Sequence, residues 1–256
     1  MRVSSYTISA GNIPGDLTVA LVSDVHQREP EGVLTALQTI NPDLICMPGD
    51  ILERNDKGSD PRQSMGDKSL YRNVNARLRR GHLRGGSENA YRLFREAGKL
   101  APVFMSVGNH EWYFSEEDKQ VMAHSGVILL DNQDVLWKEI RIGGLSPAAD
   151  LQWLESFSGK SGFKILLCHH PEYFRRFLRE KSIDLILSGH AHGGQIRLGN
   201  QGFFSPGQGF FPRYTRGLYE NRLVVSSGCA NTVPVPRWGN PPEIVAIHLH
   251  GGKSNG

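Results

Sequence analysis

Short apolar runs, each stopping at a cluster of polar residues, recur along almost the whole chain and restrict its architecture more than any other feature. Residues 17–23 (LTVALVS) stop at Asp24-Val25-His26, and residues 43–47 (DLICM) at Pro48-Gly49-Asp50. Residues 102–107 (PVFMSV) stop at Gly108-Asn109-His110-Glu111. Runs of this length and composition predict buried strands. Between them, residues 31–40 place Val33, Leu34, Leu37 and Ile40 on one helical face, and 88–100 also have helical spacing. Two later strands are expected at 163–168 and 183–187, with a helix near 172–180 between them. Strand–helix–strand alternation argues for a parallel sheet with helices outside. The shorter runs after Leu187 suggest mixed or antiparallel additions, and the alternation in 222–226 and 243–250 suits a second sheet. With 256 residues and no internal repeat, one domain spanning 1–256 is expected.

The polar clusters follow strands, and the carboxyl ends of parallel strands are where ligands gather. Asp24, His26, Asp50, Asn109, His110, His169, His190 and His192 all fall there. Carboxylate, imidazole and amide oxygen together suit Mn²⁺, Fe or Zn²⁺, whereas a structural zinc site would call for thiolates. The three cysteines form no C-x-x-C pair, and Cys46 and Cys168 lie in apolar runs that suit buried thiols in a reducing compartment. Asp24/His26 and His190/His192 are each two apart, a spacing that in extended backbone sends both side chains to one side. Each motif alone is weak, since Asp-x-His and Gly-Asp are common turns. Their occurrence in order, each at a strand end, is what carries weight. No run approaches the roughly 18 apolar residues of a membrane span, and residues 1–14 lack the apolar core of a secretory signal. A cytoplasmic protein is the expectation. A net charge of +3 is too small to imply nucleic-acid binding by itself.

The set Asp24-x-His26, Gly49-Asp50, Gly108-Asn109-His110-Glu111, His169 and Gly189-His190-Ala191-His192 resembles the calcineurin-like metallophosphoesterase superfamily. The ending Gly-His-x-His-Gly-Gly-Gln at 189–195 is similar to a bacterial phosphodiesterase branch of it. So are Gly217-Leu218-Tyr219, Val225-Ser226-Ser227-Gly228 and Pro242-Glu243-Ile244. That branch includes enzymes that cleave the pyrophosphate of UDP-2,3-diacylglucosamine. The resemblance implies an α/β fold, a four-layer αββα sandwich of two mixed β-sheets flanked by helices, with its active site at the carboxyl ends of the strands. It implies two divalent ions, manganese foremost with iron or zinc open. Asp24, His26, Asp50 and His192 would hold one ion, and Asp50, Asn109, His169 and His190 the other, with Asp50 bridging. His169 is preferred to His170 because the family pattern is His-x-Pro. A hydroxide shared by the ions would attack phosphorus, His110 would act as general acid, Glu53 would orient it, and Arg54 would contact phosphate. His82, His124, His248 and His250 match no motif and are expected to be surface or structural.

The implied substrate is a phosphodiester, either a nucleotide or a lipid-linked phosphate, with peripheral membrane contact and nucleic acid both open and no obligate protein partner. Phosphomonoester, phosphoprotein and nuclease activities use the same centre and stay open. A non-catalytic scaffold is disfavoured, because such scaffolds lose ligands that this chain retains. The chain departs from the branch in an apparent insertion at about 54–87, where nine basic residues face three acidic ones and Leu70, Tyr71, Val74 and Leu78 suggest a short amphipathic helix. It suits either a solvated excursion or a lid that attracts polyanions. A second cluster, 199–216, carries Phe203, Phe204, Phe210 and Phe211, which suit either loop packing or a wall for an acyl chain or base.

Overall fold

The computed structural model describes residues 1–54, 86–231 and 236–251. The lid and short helix expected in the basic insertion fall outside them. Two six-stranded mixed sheets form the centre of the fold. In the first, the order is β1 (Arg2–Ala10), β16 (Glu243–Gly251), β2 (Leu17–Leu21), β3 (Leu44–Met47), β4 (Val103–Ser106) and β5 (Val127–Leu130). Strands β2 to β5 run parallel, and β16 lies antiparallel to β2 and parallel to β1. In the second, the order is β14 (Gly217–Tyr219), β15 (Leu223–Val225), β9 (Leu185–Ser188), β8 (Phe163–Cys168), β7 (Ile140–Leu145) and β6 (Gln133–Trp137). Its four central strands are parallel and its two edge strands antiparallel.

Side-chain alternation assigns each residue to a layer. Val19 and Leu21 of β2, Leu44 and Cys46 of β3, and Ile165 and Leu167 of β8 all enter one core between the sheets. Their neighbours Ala20, Ile45 and Met47 face outward onto α1 (Glu31–Ile40) and α2 (Gly86–Leu100), through Val33, Leu37, Leu93 and Phe94. Leu166 and Cys168 face the other way, onto Leu154 and Phe157 of α4 (Leu151–Gly159). The result is the four-layer α/β sandwich. Strands β3, β4, β8 and β9 are buried on both faces, which is why these segments read as unbroken apolar runs rather than alternating ones. Each such aliphatic side chain contributes about 1.5–3 kcal/mol by burial.

Helix ends follow local chemistry. Helix α1 closes at Asn41 in the left-handed region (φ 49°), with its N–H donating to Leu37 O. Helix α3 (Glu116–His124) opens on a capping box between Ser115 and Asp118.

Two expectations are corrected. Residues 172–180 form one five-residue π-helical turn, Phe174–Leu178, not a regular helix. The tail divides: β15 joins the second sheet, but β16 is central in the first, with Val245 opposite Leu21, and is buried along most of its length. Strands β1 and β5 to β7 and helices α3 and α4 were not foreseen. Several of them present half-exposed faces, such as β6 with no fully buried residue, and so give weak apolar signals.

Candidate metal centre

Five side chains that share this site sit on left-handed backbone: Asp24 (φ 55°), His26 (51°), Asp50 (57°), His190 (65°) and His192 (43°). Positive φ is uncommon outside glycine and clusters at functional sites. The chain therefore does not leave each strand in an extended form, and the i, i+2 argument fails in its geometry. Asp24 and His26 still share one cluster, with His26 Nε2 4.0 Å from Asp24 Oδ1. His190 and His192 do not. His192 Nε2 lies 3.5 Å from Asp24 Oδ1, whereas the His190 ring lies 5.1 Å from that of His169 and 4.1 Å from that of His170.

The loops carrying the two aspartates are tied together by backbone. Asp24 N donates to Gly49 O, and His26 N to Asp50 O. Glu111, buried, accepts N–H bonds from Gly108, Asp50, Ile51 and Leu52, and so fixes the loop after β3 against the loop after β4. Asp24 accepts from Ser23 Oγ and from the His190 N–H. Close approach demands glycine at two points. A Cβ on Gly108 would lie 2.2 Å from Asp50 Oδ1, and one on Gly189 would lie 2.4 Å from Asp24 Oδ2.

Hydrogen bonds on one ring nitrogen leave the other aimed inward. His26 Nδ1 lies 2.6 Å from Glu53 Oε1 and His110 Nδ1 lies 2.9 Å from Glu53 Oε2, so one carboxylate receives both N–H groups. His169 Nδ1 lies 2.9 Å from Pro48 O and donates to it. The Nε2 atoms of His26 and His169, and Oδ1 of Asn109, are buried without a hydrogen bond. His26 Nε2 stands 3.7 Å from Asp50 Oδ2, and His169 Nε2 stands 3.2 Å from it. Atoms that each lie about 2 Å from one ion stand ~3–4 Å from each other, so this spacing fits divalent cations. Among the described residues four groups have ligand atoms mutually within 4.8 Å, and two of them contain the aspartates: Asp24, His26 and His192, and Asp24, Asp50 and His169. Buried lone pairs without donors are costly unless a cation meets them.

Electrostatics point the same way. Burial would raise the Asp50 carboxyl, but His169, His110 and His26 outweigh it and hold it well below the usual range. Burial also opposes ionisation of Glu53, and the charge and hydrogen bond of His110, with His26, overcome it. Burial lowers the His169 imidazole less than Asp50 raises it, leaving it at about 9. Burial pushes His192 down to about 4 despite Asp24, with His26 and Arg237 adding to the effect, and burial beside His170 and His169 holds His190 well below its usual value. His190 and His192 are thereby neutral, the ligand form, whereas His169 keeps its proton beside the Asp50 carboxylate and would have to release it to a cation.

Arg54 is engaged within the fold. Its Nε and Nη2 donate to Asp118 (2.8 and 2.5 Å), Nη1 to Glu53 O and Nη2 also to Ser87 Oγ. Its backbone pairs with the 110–112 segment through Arg54 N to His110 O and Trp112 N to Arg54 O. Arg54 and Asp118 thus hold Glu53 beside His110. Two further residues near the centre escaped sequence reasoning. Arg237 donates to Gly228 O and Ala230 O and lies 3.1 Å from His192 Nδ1, and a lone arginine in a proline-rich run gives no spacing to notice. Glu172 pairs with His170, their Oε1 and Nδ1 3.1 Å apart, and with His190 forms a further group of close donor atoms. His124, His248 and His250 bond to Gln120 O, Thr18 and Asp16, away from the centre, and His82 lies outside the described residues.

The model of the calcineurin-like phosphoesterase family matches residues 17–194. An uncharacterized metallophosphoesterase of Campylobacter jejuni is 27% identical over 98% of this chain, which spans 64% of that protein's length. The uncharacterized protein YpbG of Bacillus subtilis is 28% identical, over 98% of this chain and 88% of its own. An uncharacterized metallophosphoesterase of Aquifex aeolicus is 26% identical, over 98% and 92%.

Proposed function

The chain belongs to the calcineurin-like phosphoesterase family, a family of metal-dependent phosphoester hydrolases, and from that premise we propose that it hydrolyses phosphodiester or pyrophosphate bonds at a two-cation centre. Asp24, His26, Asp50 and His192 would hold one ion, and Asp50, Asn109, His169 and His190 the other. Bound there, the pair would neutralise phosphoryl oxygens and provide a nucleophile at neutral pH.

The observation that carries the proposal is the Glu53 carboxylate, which takes Nδ1–H of His26 and of His110 together. It leaves His26 Nε2 turned to Asp50. It leaves His110 Nε2 3.8 Å from Asp50 Oδ2 on a ring that is part-exposed, at 20%. His110 is thereby placed to carry a proton on Nε2 and give it to the departing oxygen, and the carboxylate behind it favours the charged form. Asp118, through Arg54, keeps Glu53 in place.

The diester is favoured over the monoester by the placement of Arg54. A dianionic monoester gains more than a monoanionic diester from a guanidinium turned to the phosphate, and here that guanidinium is engaged by Asp118, Ser87 and Glu53 O. Comparison of a bis-aryl with a mono-aryl phosphate, each with Mn²⁺ restored to metal-stripped protein, tests this. Preference for the bis-aryl ester is expected, and a preference for the mono-aryl ester makes the chain a phosphomonoesterase.

A further inference from the structure

Every phenylalanine or tryptophan that is exposed among the described residues lies in one part of the surface: Phe203 (46%), Phe210 (67%), Phe211 (68%) and Trp238 (62%), with Leu198 (71%) alongside. Two small hairpins carry or flank all but Trp238: β10 (Arg197–Leu198) with β11 (Gln201–Gly202), and β12 (Phe204–Ser205) with β13 (Gly209–Phe210). Ile196 joins them, since its carbonyl accepts from Phe203 N and its backbone pairs with Trp238. The Phe203 ring packs on those of Phe210 and Phe211 at 5.5 and 5.6 Å, so the rings gather on one another at the surface. An apolar cluster of this kind marks an interaction surface.

Backbone conformation marks this surface as functional, and charge says what covers it. Phe211 has φ 50°, a region a bulky side chain rarely adopts, and its N–H is fixed to Phe203 O. The fold holds a strained aromatic residue outward, and strain of this kind accompanies function. Residues 197–219, which carry the two hairpins, contain no acidic residue and three arginines, of which Arg197 is buried, Arg216 part-exposed and Arg213 exposed. Arg213 is exposed two positions after Phe211. Aromatic rings among arginines and almost no carboxylates complement the boundary of an anionic bilayer, where rings settle at headgroup depth and guanidinium groups meet phosphates.

We propose that these hairpins and Trp238 form a membrane-docking face that seats its aromatic rings in an anionic lipid surface. The face is rigidly joined to the candidate metal centre. Phe203 N donates to Gly194 O, and buried Arg197 donates to Gly193 O and Thr215 Oγ1. Docking therefore brings the lipid surface beside the His190–Gly194 loop and favours amphiphilic phosphoesters. The docking itself does not depend on the phosphodiesterase proposal.

The test is flotation of the whole chain with phosphatidylcholine vesicles, with and without about a third phosphatidylglycerol. Two variants accompany it: Phe210→Ser/Phe211→Ser, and Phe211→Gly, which suits left-handed backbone and so removes a ring without threatening the fold. Binding to the anionic vesicles at least about ten-fold tighter than to the neutral ones is expected, with a loss of about ten-fold or more in the double variant and a smaller loss in Phe211→Gly. Hydrolysis of a soluble bis-aryl phosphate stays unchanged in both. Wild-type protein that stays off anionic vesicles, or variants that bind as well as wild type, would overturn the proposal. So would a wild-type dimer that the double variant abolishes while vesicles go unbound, since a second copy would then cover the face. Loss of docking with hydrolysis intact separates this idea from the catalytic one, which a docked but inactive wild type would sink.

Discussion

Glu53 Oε2 stands 2.9 Å from His110 Nδ1, while its other oxygen receives Nδ1 of His26 at 2.6 Å. One carboxylate thus sets the tautomer of a proposed metal ligand and of the proposed acid together. Glu53→Gln keeps the shape but cannot accept from both rings through two equivalent oxygens. Metal affinity is expected to fall about 10–100-fold, as for lost partners of metal-bound histidines, with turnover falling alongside. Metal titration and steady-state kinetics on the same preparation read both; an unchanged affinity would separate Glu53 from His26.

His110→Ala removes the proton carrier and no proposed ligand. Turnover should drop by about 10²-fold or more with metal content unaltered. Equal turnover in the variant removes His110 from the chemistry.

Gly108→Ala puts a methyl group 2.2 Å from Asp50 Oδ1, with Asp50 N 2.4 Å away. Because backbone blocks the other direction, Asp50 must shift. Overpacking of about 1–3 kcal/mol is expected, together with weaker metal binding. Thermal denaturation and metal titration report the two effects, and a variant that binds metal normally would show that the loops can part.

The strands that carry this centre, β2, β3, β4, β8 and β9, were legible because a parallel strand buried on both faces is a continuous apolar run. The chemistry of Asp24, Asp50 and the histidines was legible through their order. Their left-handed backbone was not, since it goes with contacts between distant segments, such as Glu111 with the N–H groups of Asp50, Ile51 and Leu52. Arg54 was legible as a residue beside Glu53 but not as the partner of Asp118, which lies 64 positions away. The placement of β16 between β1 and β2 follows from pairing across most of the chain, which local alternation does not encode.

Asp118 gives a pH dependence of stability. Burial raises its carboxyl, but hydrogen bonds from Arg54, Tyr91 and Ser115 outweigh that and bring it down to about 2. An unfolded aspartate titrates near ~3.9, so the stabilisation is complete above that pH and is lost as pH falls toward about 2. The difference in melting temperature between wild type and Asp118→Asn should therefore be largest above about pH 5 and narrow through this window. A difference that stays constant down to about pH 2 would contradict the assignment.

Chelation should lower the melting temperature, since ions that bind only the folded chain stabilise it by about 2.7 kcal/mol at one hundred times their dissociation constant. Restoring Mn²⁺ should reverse the drop, and scanning calorimetry with and without chelator reads it. A melting temperature indifferent to chelation and to added Mn²⁺ would argue against tight binding.

The central claim is that Asp50 lies between two cations gathered by histidines from both sheets. Anomalous diffraction from a crystal grown with Mn²⁺ tests it most directly. Two peaks are predicted, one toward Asp24, His26 and His192 and one toward Asn109, His169 and His190, with Asp50 touching both. Peaks elsewhere, or none beside Asp50, would contradict it.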